Sequence, residues 1–168
     1  MPSSFAASYP PIIEVLLTIA PQRVIDIGPG WGKYGLACRE YLPGLQTLHA
    51  IEVPPGRLEV QDAIYDHVYT GDARLFTSPN FWARFDLVLL IDVIEHMSLA
   101  EGHRLVDLMQ HSGCRVLVST PKVFESQHDD HNPYEEHVSL WSGQDFGQHG
   151  IEADASTIDS VIYVLPGQ

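Results

Sequence analysis

The segment Val24-Ile25-Asp26-Ile27-Gly28-Pro29-Gly30-Trp31-Gly32-Lys33-Tyr34-Gly35 constrains this chain more than any other. A β-branched run from Arg23 to Ile27 stops abruptly on glycines at alternate positions. A helix-forming stretch, Gly32 to Tyr41, follows and is closed by Pro43-Gly44. Strand, glycine turn and helix in that order open a β-α-β unit, and the glycines let the backbone turn sharply and approach a ligand closely. The spacing narrows the ligand. A dinucleotide fingerprint, G-x-G-x-x-G, needs glycine where Lys33 stands, and there is no G-K-[ST] for a phosphate-cradling loop. What remains is D-x-G-x-G-x-G.

The rest of the chain continues the alternation. Ile12, Ile13, Leu16, Leu17 and Ala20 fall at helical spacing between Pro10-Pro11 and Pro21. Thr47 to Val53 reads as a strand stopped by Pro54-Pro55, Arg57 to Tyr65 as a helix and His67 to Thr70 as a third strand. Phe85 to Ile91 is a continuous apolar run, the pattern of a strand buried on both faces of a parallel sheet. Leu99 to His111 reads as an amphipathic helix with Gly113 just past its end, and Arg115 to Ser119 as a fifth strand. Residues 122–139 have no period and read as a lid loop. Ser142 to His149 reads as a short helix, and Ile151 to Ser156 with Ser160 to Leu165 as an antiparallel closing pair. The expectation is a doubly wound α/β fold, one domain over 1–168, with an N-terminal arm at 1–11.

Charge narrows the function. The 168 residues carry 22 acidic and 9 basic side chains, a net of −13. Such a surface disfavours non-specific binding to nucleic acid or anionic membranes. Residues 121–168 hold 9 of the acids against Lys122 alone, so the excess sits in the last third. The start of the chain has no basic and apolar signal pattern, and no apolar run approaches a membrane span, which by default predicts a cytoplasmic protein. Cys38 and Cys114 match no metal or redox spacing and read as reduced, buried thiols.

Two further acids belong with the glycine loop. Glu52 ends the second strand, 20 residues after Gly32, where a carboxylate accepts from both ribose hydroxyls. Asp72, in Gly71-Asp72-Ala73, follows the third strand and suits an exocyclic amine of adenine. Asp26, Glu52 and Asp72 together suit a ligand with a ribose, a base and positive charge, and suit a pyrophosphate badly. After the fourth strand come Asp92, Glu95 and His96. One helical turn over 92–96 would put all three on one face, with His137 arriving from the lid across the cleft. Three readings stand side by side. The groups cap the strand or orient a substrate; or His96 or His137 is a general base; or Asp92, Glu95, His96 and His137 hold a divalent metal. His128, Asp129, Asp130 and His131 read as a solvated acidic loop. Trp31, Tyr134 and Trp141 read as packing groups.

On these residues the chain resembles class I S-adenosylmethionine-dependent methyltransferases, from about Pro10 to Leu165. Asp26-Ile27-Gly28-Pro29-Gly30-Trp31-Gly32 is similar to the first motif of that family, Glu52 to its ribose-binding acid, Gly71-Asp72-Ala73 to its adenine-contacting segment, and Phe85 to His96 to its fourth-strand motif. The resemblance implies a Rossmann-like sheet of seven mostly parallel strands with an antiparallel C-terminal pair. It implies S-adenosylmethionine as cofactor, S-adenosylhomocysteine as product, and cofactor contacts from Asp26, Gly28, Gly30, Gly32, Glu52, Asp72, Ala73 and Asp92. Glu95, His96 and His137 then face the acceptor. The D-x-x-E-H … H-x-x-x-W pattern is similar to E-x-x-E-H … H-x-x-x-W of small-RNA 3′-terminal 2′-O-methyltransferases, where those positions hold a metal, with Asp92 here in place of Glu. Related turns occur in ubiquinone-pathway O-methyltransferases. The expected activity is methyl transfer to an O or N nucleophile of a small molecule. The alternatives are a metal-dependent enzyme acting on an RNA 3′ end and a non-catalytic cofactor-binding module.

Overall fold

The computed structural model describes residues 4–54, 61–124, 126 and 132–168. Seven strands form one sheet: β1 Arg23–Ile27, β2 Thr47–Glu52, β3 His67–Thr70, β4 Leu87–Ile91, β5 Arg115–Pro121, β6 Ala153–Asp154 and β7 Ser160–Leu165. Their order is β3-β2-β1-β4-β5-β7-β6. The first five run parallel, and β7 is antiparallel to both β5 and β6. This is the expected α/β sheet with its antiparallel C-terminal pair. The strand order reverses between the parallel neighbours β1 and β4, and that is where open sheets of this kind form a crevice.

Alternation along the strands divides the core into two layers. Val88 and Leu90 of β4 face one side, with Ile25 and Ile27 of β1. Leu87, Leu89 and Ile91 face the other, with Val24. All five β4 residues are buried, as the unbroken apolar run requires. Helices α1 (Tyr9–Ile19) and α2 (Lys33–Tyr41) cover the second face through Ile12, Leu16, Tyr34 and Cys38. Helix α4 (Leu99–His111) and the short α5 (Gly143–Gly147) cover the first through Leu105, Val106, Met109 and Phe146. Both cysteines are free and buried.

Several expectations are corrected at the level of local structure. A single turn, α3 (Pro79–Trp82), went unread because four residues show no period. Residues 57–60 of the expected 57–65 helix lie outside the described residues; Gln61 is helical, and the chain then turns over 62–64, with the Ile64 and Tyr65 amides both donating to the Gln61 carbonyl. Strand β6 keeps only two of the six residues expected. Helix α4, by contrast, has the expected bounds and starts at a Ser98–Glu101 capping box, which satisfies two amide donors reciprocally.

Trp141 fastens the end of the lid segment to this frame. Its ring is buried, stacks on Phe146 at 5.0 Å, and its Nε1 donates to the Ile94 carbonyl and to Ser139 Oγ. The ring lies where a Cβ on Gly102 of α4 would be, 2.3 Å from Cζ2. Helix propensity alone favours Gly102→Ala by about 1 kcal/mol, but overpacking costs about 1–3 kcal/mol. The clash should win: Gly102→Ala is expected to lower the urea midpoint of unfolding, and a raised midpoint would mean that Trp141 is not seated there.

Candidate active site

The carboxyl ends of β1 to β4 open onto a cavity of about 380 Å³, within the range of small-molecule sites. Asp26, Gly28, Gly30, Glu52, Asp72, Ala73, Asp92, Glu95, His96 and His137 all line it. The sheet thus brings to one cavity nearly all the residues singled out in the sequence. Gly32 stands just behind them at the base of α2.

The loop geometry explains the glycines. Gly28 has φ +64°, and a Cβ there would meet Val93 Cγ2 at 2.8 Å. Gly32 has φ +76°, and a Cβ there would sit 2.3 Å from Ile64 Cδ1. Both need a left-handed backbone and a vacant side-chain position.

The two buried acids beside the loop are held by the turn after β2. Asp26 accepts from Tyr65 Oη at 2.6 Å, and burial, with a smaller push from Glu52, raises its carboxyl to about 7. Glu52 accepts from Gln61 Nε2 at 2.8 Å and from the Val53 amide at 2.9 Å, and burial raises it too. Gln61 Nε2 also donates to the Gly30 carbonyl at 2.9 Å, which ties Glu52 to the glycine loop. Sequence reasoning missed Gln61 and Tyr65. Gly35, whose Cβ would lie 2.3 Å from Tyr65 Oη, was the signal for the second.

Asp72 caps the 3-10 turn Ala73–Leu75, and both its oxygens are taken by Arg74. Burial raises its pKa, but the Arg74 contacts outweigh this and the net shift is downward. Arg74 also reaches Glu101 at 2.7 Å, so this corner is anchored to the α4 capping box. The cavity here offers an Asp72–Arg74 pair rather than a bare carboxylate.

The turn after β4 differs from the expected one. A 3-10 turn spans only Ile94–His96, and Asp92 precedes it with φ 53°, a conformation uncommon for a non-glycine residue. The cause is pairing with β5: the Asp92 amide donates to the Ser119 carbonyl at 2.8 Å, and Ser119 Oγ donates to Asp92 Oδ1 at 3.0 Å. The expected common face for Asp92, Glu95 and His96 is therefore lost. Glu95, His96 and His137 do converge, each offering one ligand atom within 4.8 Å of the others. Residues 128–131 lie outside the described residues.

This wall is built by the lid backbone. The Val138 and Ser139 amides both donate to the Glu95 carbonyl, at 2.9 and 3.1 Å. His96 Nδ1 lies 3.1 Å from the Glu136 carbonyl. A carbonyl can only accept, so Nδ1 carries the proton and Nε2 keeps its lone pair. Burial, aided by the His137 ring 4.8 Å away, holds His96 below the ordinary imidazole value despite that hydrogen bond. Glu95 is buried with no hydrogen bond to Oε2, and burial, then the charge of Asp92, pushes its carboxyl up to about 8. Trp141 packs as expected, whereas Trp31 and Tyr134 stay 47% and 41% exposed at the cavity.

Comparison with known proteins bears on the fold. The methyltransferase domain of a bacterial Hen1 protein (CtHen1) superposes with a TM-score of 0.63 at 15% identity, covering 92% of this chain and 95% of that one. An O-methyltransferase family protein from Burkholderia thailandensis gives 0.65 at 15% identity, with 93% of this chain covered but only 55% of that one. The N-terminal domain of EvdMO1, solved in the presence of SAH and D-fucose, gives 0.67 at 13%, covering 94% and 82%. No protein-family model matches the sequence, and a search of the curated proteins finds no match. At such identities the likeness is one of fold: a Rossmann-like α/β sheet shared with methyltransferases. Among the described residues no helix is long and apolar enough to cross a membrane.

The raised carboxyls fix a sign. Unfolded, Asp26, Glu52 and Glu95 ionise near pH ~4, whereas folded Asp26 and Glu95 keep their protons to about 7 and 8. In between, the folded state binds more protons, so stability falls as pH rises. Thermal unfolding of the ligand-free protein should show a lower midpoint at pH 8.5 than at 7.0. Glu95→Gln should flatten that slope.

Proposed function

We propose that this protein transfers a methyl group from S-adenosylmethionine to an O or N nucleophile of a small neutral or cationic molecule. The observation that carries the reading is the junction, in one cavity, of the glycine loop with its two buried acids and the Glu95–His96–His137 wall. The loop and Glu52 suit the ribose, the Asp72–Arg74 corner suits the base, and Asp26 suits the cationic end of the cofactor. The structural neighbours support methyl transfer as the class of chemistry, and EvdMO1 was solved with the product of that chemistry.

The reaction is an in-line displacement. The acceptor lone pair forms a bond to the methyl carbon as the carbon–sulfur bond breaks, and its electrons return to a neutral thioether that needs no acid. The remaining task is to remove the acceptor proton. His96 fits it: Glu136 holds Nδ1–H, leaving Nε2 as the base, and burial keeps the ring neutral at pH 7. Alignment and exclusion of water supply the rest of the acceleration.

A second reading rests on the same three side chains. Glu95, His96 and His137 are a mixed carboxylate and imidazole set, close enough to hold a divalent cation such as Mg²⁺, Mn²⁺ or Fe²⁺. The unbonded Glu95 Oε2 fits this demand. A bound cation would supply Lewis acidity toward an acceptor hydroxyl. Extending the reading to an RNA 3′ end meets the net charge of −13, which offers few backbone contacts.

The test uses S-adenosylmethionine labelled in the methyl group and a panel of small hydroxyl and amine compounds. Label should appear on at least one of them. His96→Gln should lower kcat by about 10²- to 10⁴-fold with the KM for cofactor nearly unchanged. Cofactor binding without transfer to any acceptor would favour a non-catalytic binding module. For the metal reading, Mn²⁺ should raise the thermal midpoint of the wild type but not of His137→Ala.

A further inference from the structure

Helix α4 and the segment after α5 meet through two histidines. His149 is buried, and the His103 ring, one turn from Asp107 on α4, stacks beside it with centroids 5.1 Å apart. The partners fix where each ring carries its hydrogen. Gln110 Nε2 donates to the His149 and Pro166 carbonyls, both at 2.8 Å, so Gln110 Oε1 is the end that faces His149 Nδ1, at 3.2 Å. Asp107 Oδ1 lies 3.1 Å from the same nitrogen. Both oxygens only accept, so Nδ1 carries the hydrogen and Nε2 the lone pair. His103 Nδ1 is 2.8 Å from that lone pair and must donate to it. His103 Nε2 is then bare. Gln148 Nε2, which also donates to the Asp145 carbonyl, lies 2.9 and 3.0 Å from Nδ1 and Nε2 of the His103 ring and donates to the bare one.

The hydrogens therefore all point one way, from Gln148 through His103 and His149 to Asp107. Such a chain takes up one proton at its outer end, on His103 Nε2, with the Gln148 amide turning over to accept. A second proton has no place: both facing nitrogens would carry hydrogens across 2.8 Å, and the rings must part. The other titratable groups around the pair, among the described residues, are Asp145, whose carboxylate caps α5, and His111, whose Nδ1 is held by the Asp107 carbonyl at 2.7 Å. Burial holds His149 below the ordinary imidazole value; Asp107, more than half exposed, opposes this without reversing it, and His103 adds to it. The pair also touches the wall of the cavity. The His103 ring meets Trp141 edge-on at 4.7 Å, and Trp141 Nε1 donates to the Ile94 carbonyl on one side of that wall and to Ser139 Oγ on the other.

We propose that His103 and His149 form a proton-operated latch on the Glu95–His96–His137 wall: as a hydrogen-bonded pair they hold Trp141 in its seat, and the proton that parts them releases it. The pair lies outside the cavity and acts through Trp141, so it positions the wall rather than taking part in chemistry there. Nitrogen-15 NMR of the imidazoles and of the three tryptophan indoles tests this on wild type, His103→Phe and His149→Asn, with thermal unfolding to verify each fold. His103→Phe keeps a ring against Trp141 but no nitrogen. At about pH 8 both histidines should be neutral and carry their hydrogen on Nδ1, the minor tautomer of free histidine. Between about pH 6.5 and 4.5 the Trp141 indole signal, assigned with Trp141→Phe, should shift and lose about tenfold or more of its protection from hydrogen exchange. Trp82, whose indole donates to the Phe76 carbonyl, should hold steady. Both variants should lose the Trp141 transition. A transition that survives in both, or Nε2–H tautomers at about pH 8, would overturn the proposal. The Trp141 signal reports the latch independently of the reaction the wall serves.

Discussion

Burial of two carboxyl groups beside uncharged donors is the constraint on which this site depends. Asp26 and Glu52 end adjacent strands and are taken out of water by the turn that carries Gln61 and Tyr65. Among the described residues neither has a cationic partner, and a buried anion without one is costly. The protein bears that cost by raising both pKa values, and a ligand with positive charge is what would relieve it. The glycine loop belongs to the same arrangement. Gln61 binds Glu52 and the Gly30 carbonyl at once, so the loop and the acid take their positions together.

The opposite wall is fixed by backbone rather than by charge. Two lid amides share the Glu95 carbonyl, Ser139 Oγ reaches the Met97 carbonyl at 2.6 Å, and Trp141 plugs the space beside Gly102. This clasp presents Glu95, His96 and His137 to the cavity from two segments about 40 residues apart. Glu95 and His96 thus sit on a 3-10 turn, and the aromatics Trp31 and Tyr134 are exposed at the edge of the cavity.

Much of this was legible in the sequence because it is local. Glycine spacing, the apolar run of β4 and the amphipathic period of α4 each need only neighbouring residues, and their elements stand close to the expected bounds. What was illegible is set by distant partners. Asp92 left the expected helical turn because Ser119, 27 residues on, pairs with it on β5. Gln61 and Tyr65 carry no pattern of their own; their partners lie up to 39 residues back. Asp72 read as a bare acid because its neutraliser, Arg74, is itself held by Glu101 on α4. Trp31 and Tyr134 were expected to pack on the ground that large aromatics mostly do, and their exposure instead marks the cavity edge.

The central claim is that the acid-lined cavity at the strand ends is a cofactor site. A crystal structure of the protein grown with S-adenosylhomocysteine tests it most directly. The expected result is density for the ligand above the glycine loop, with the ribose hydroxyls on Glu52, the adenine beside Asp72–Arg74 and the sulfur facing His96. Ligand bound elsewhere, or a cavity that stays empty at saturating ligand, would contradict the account.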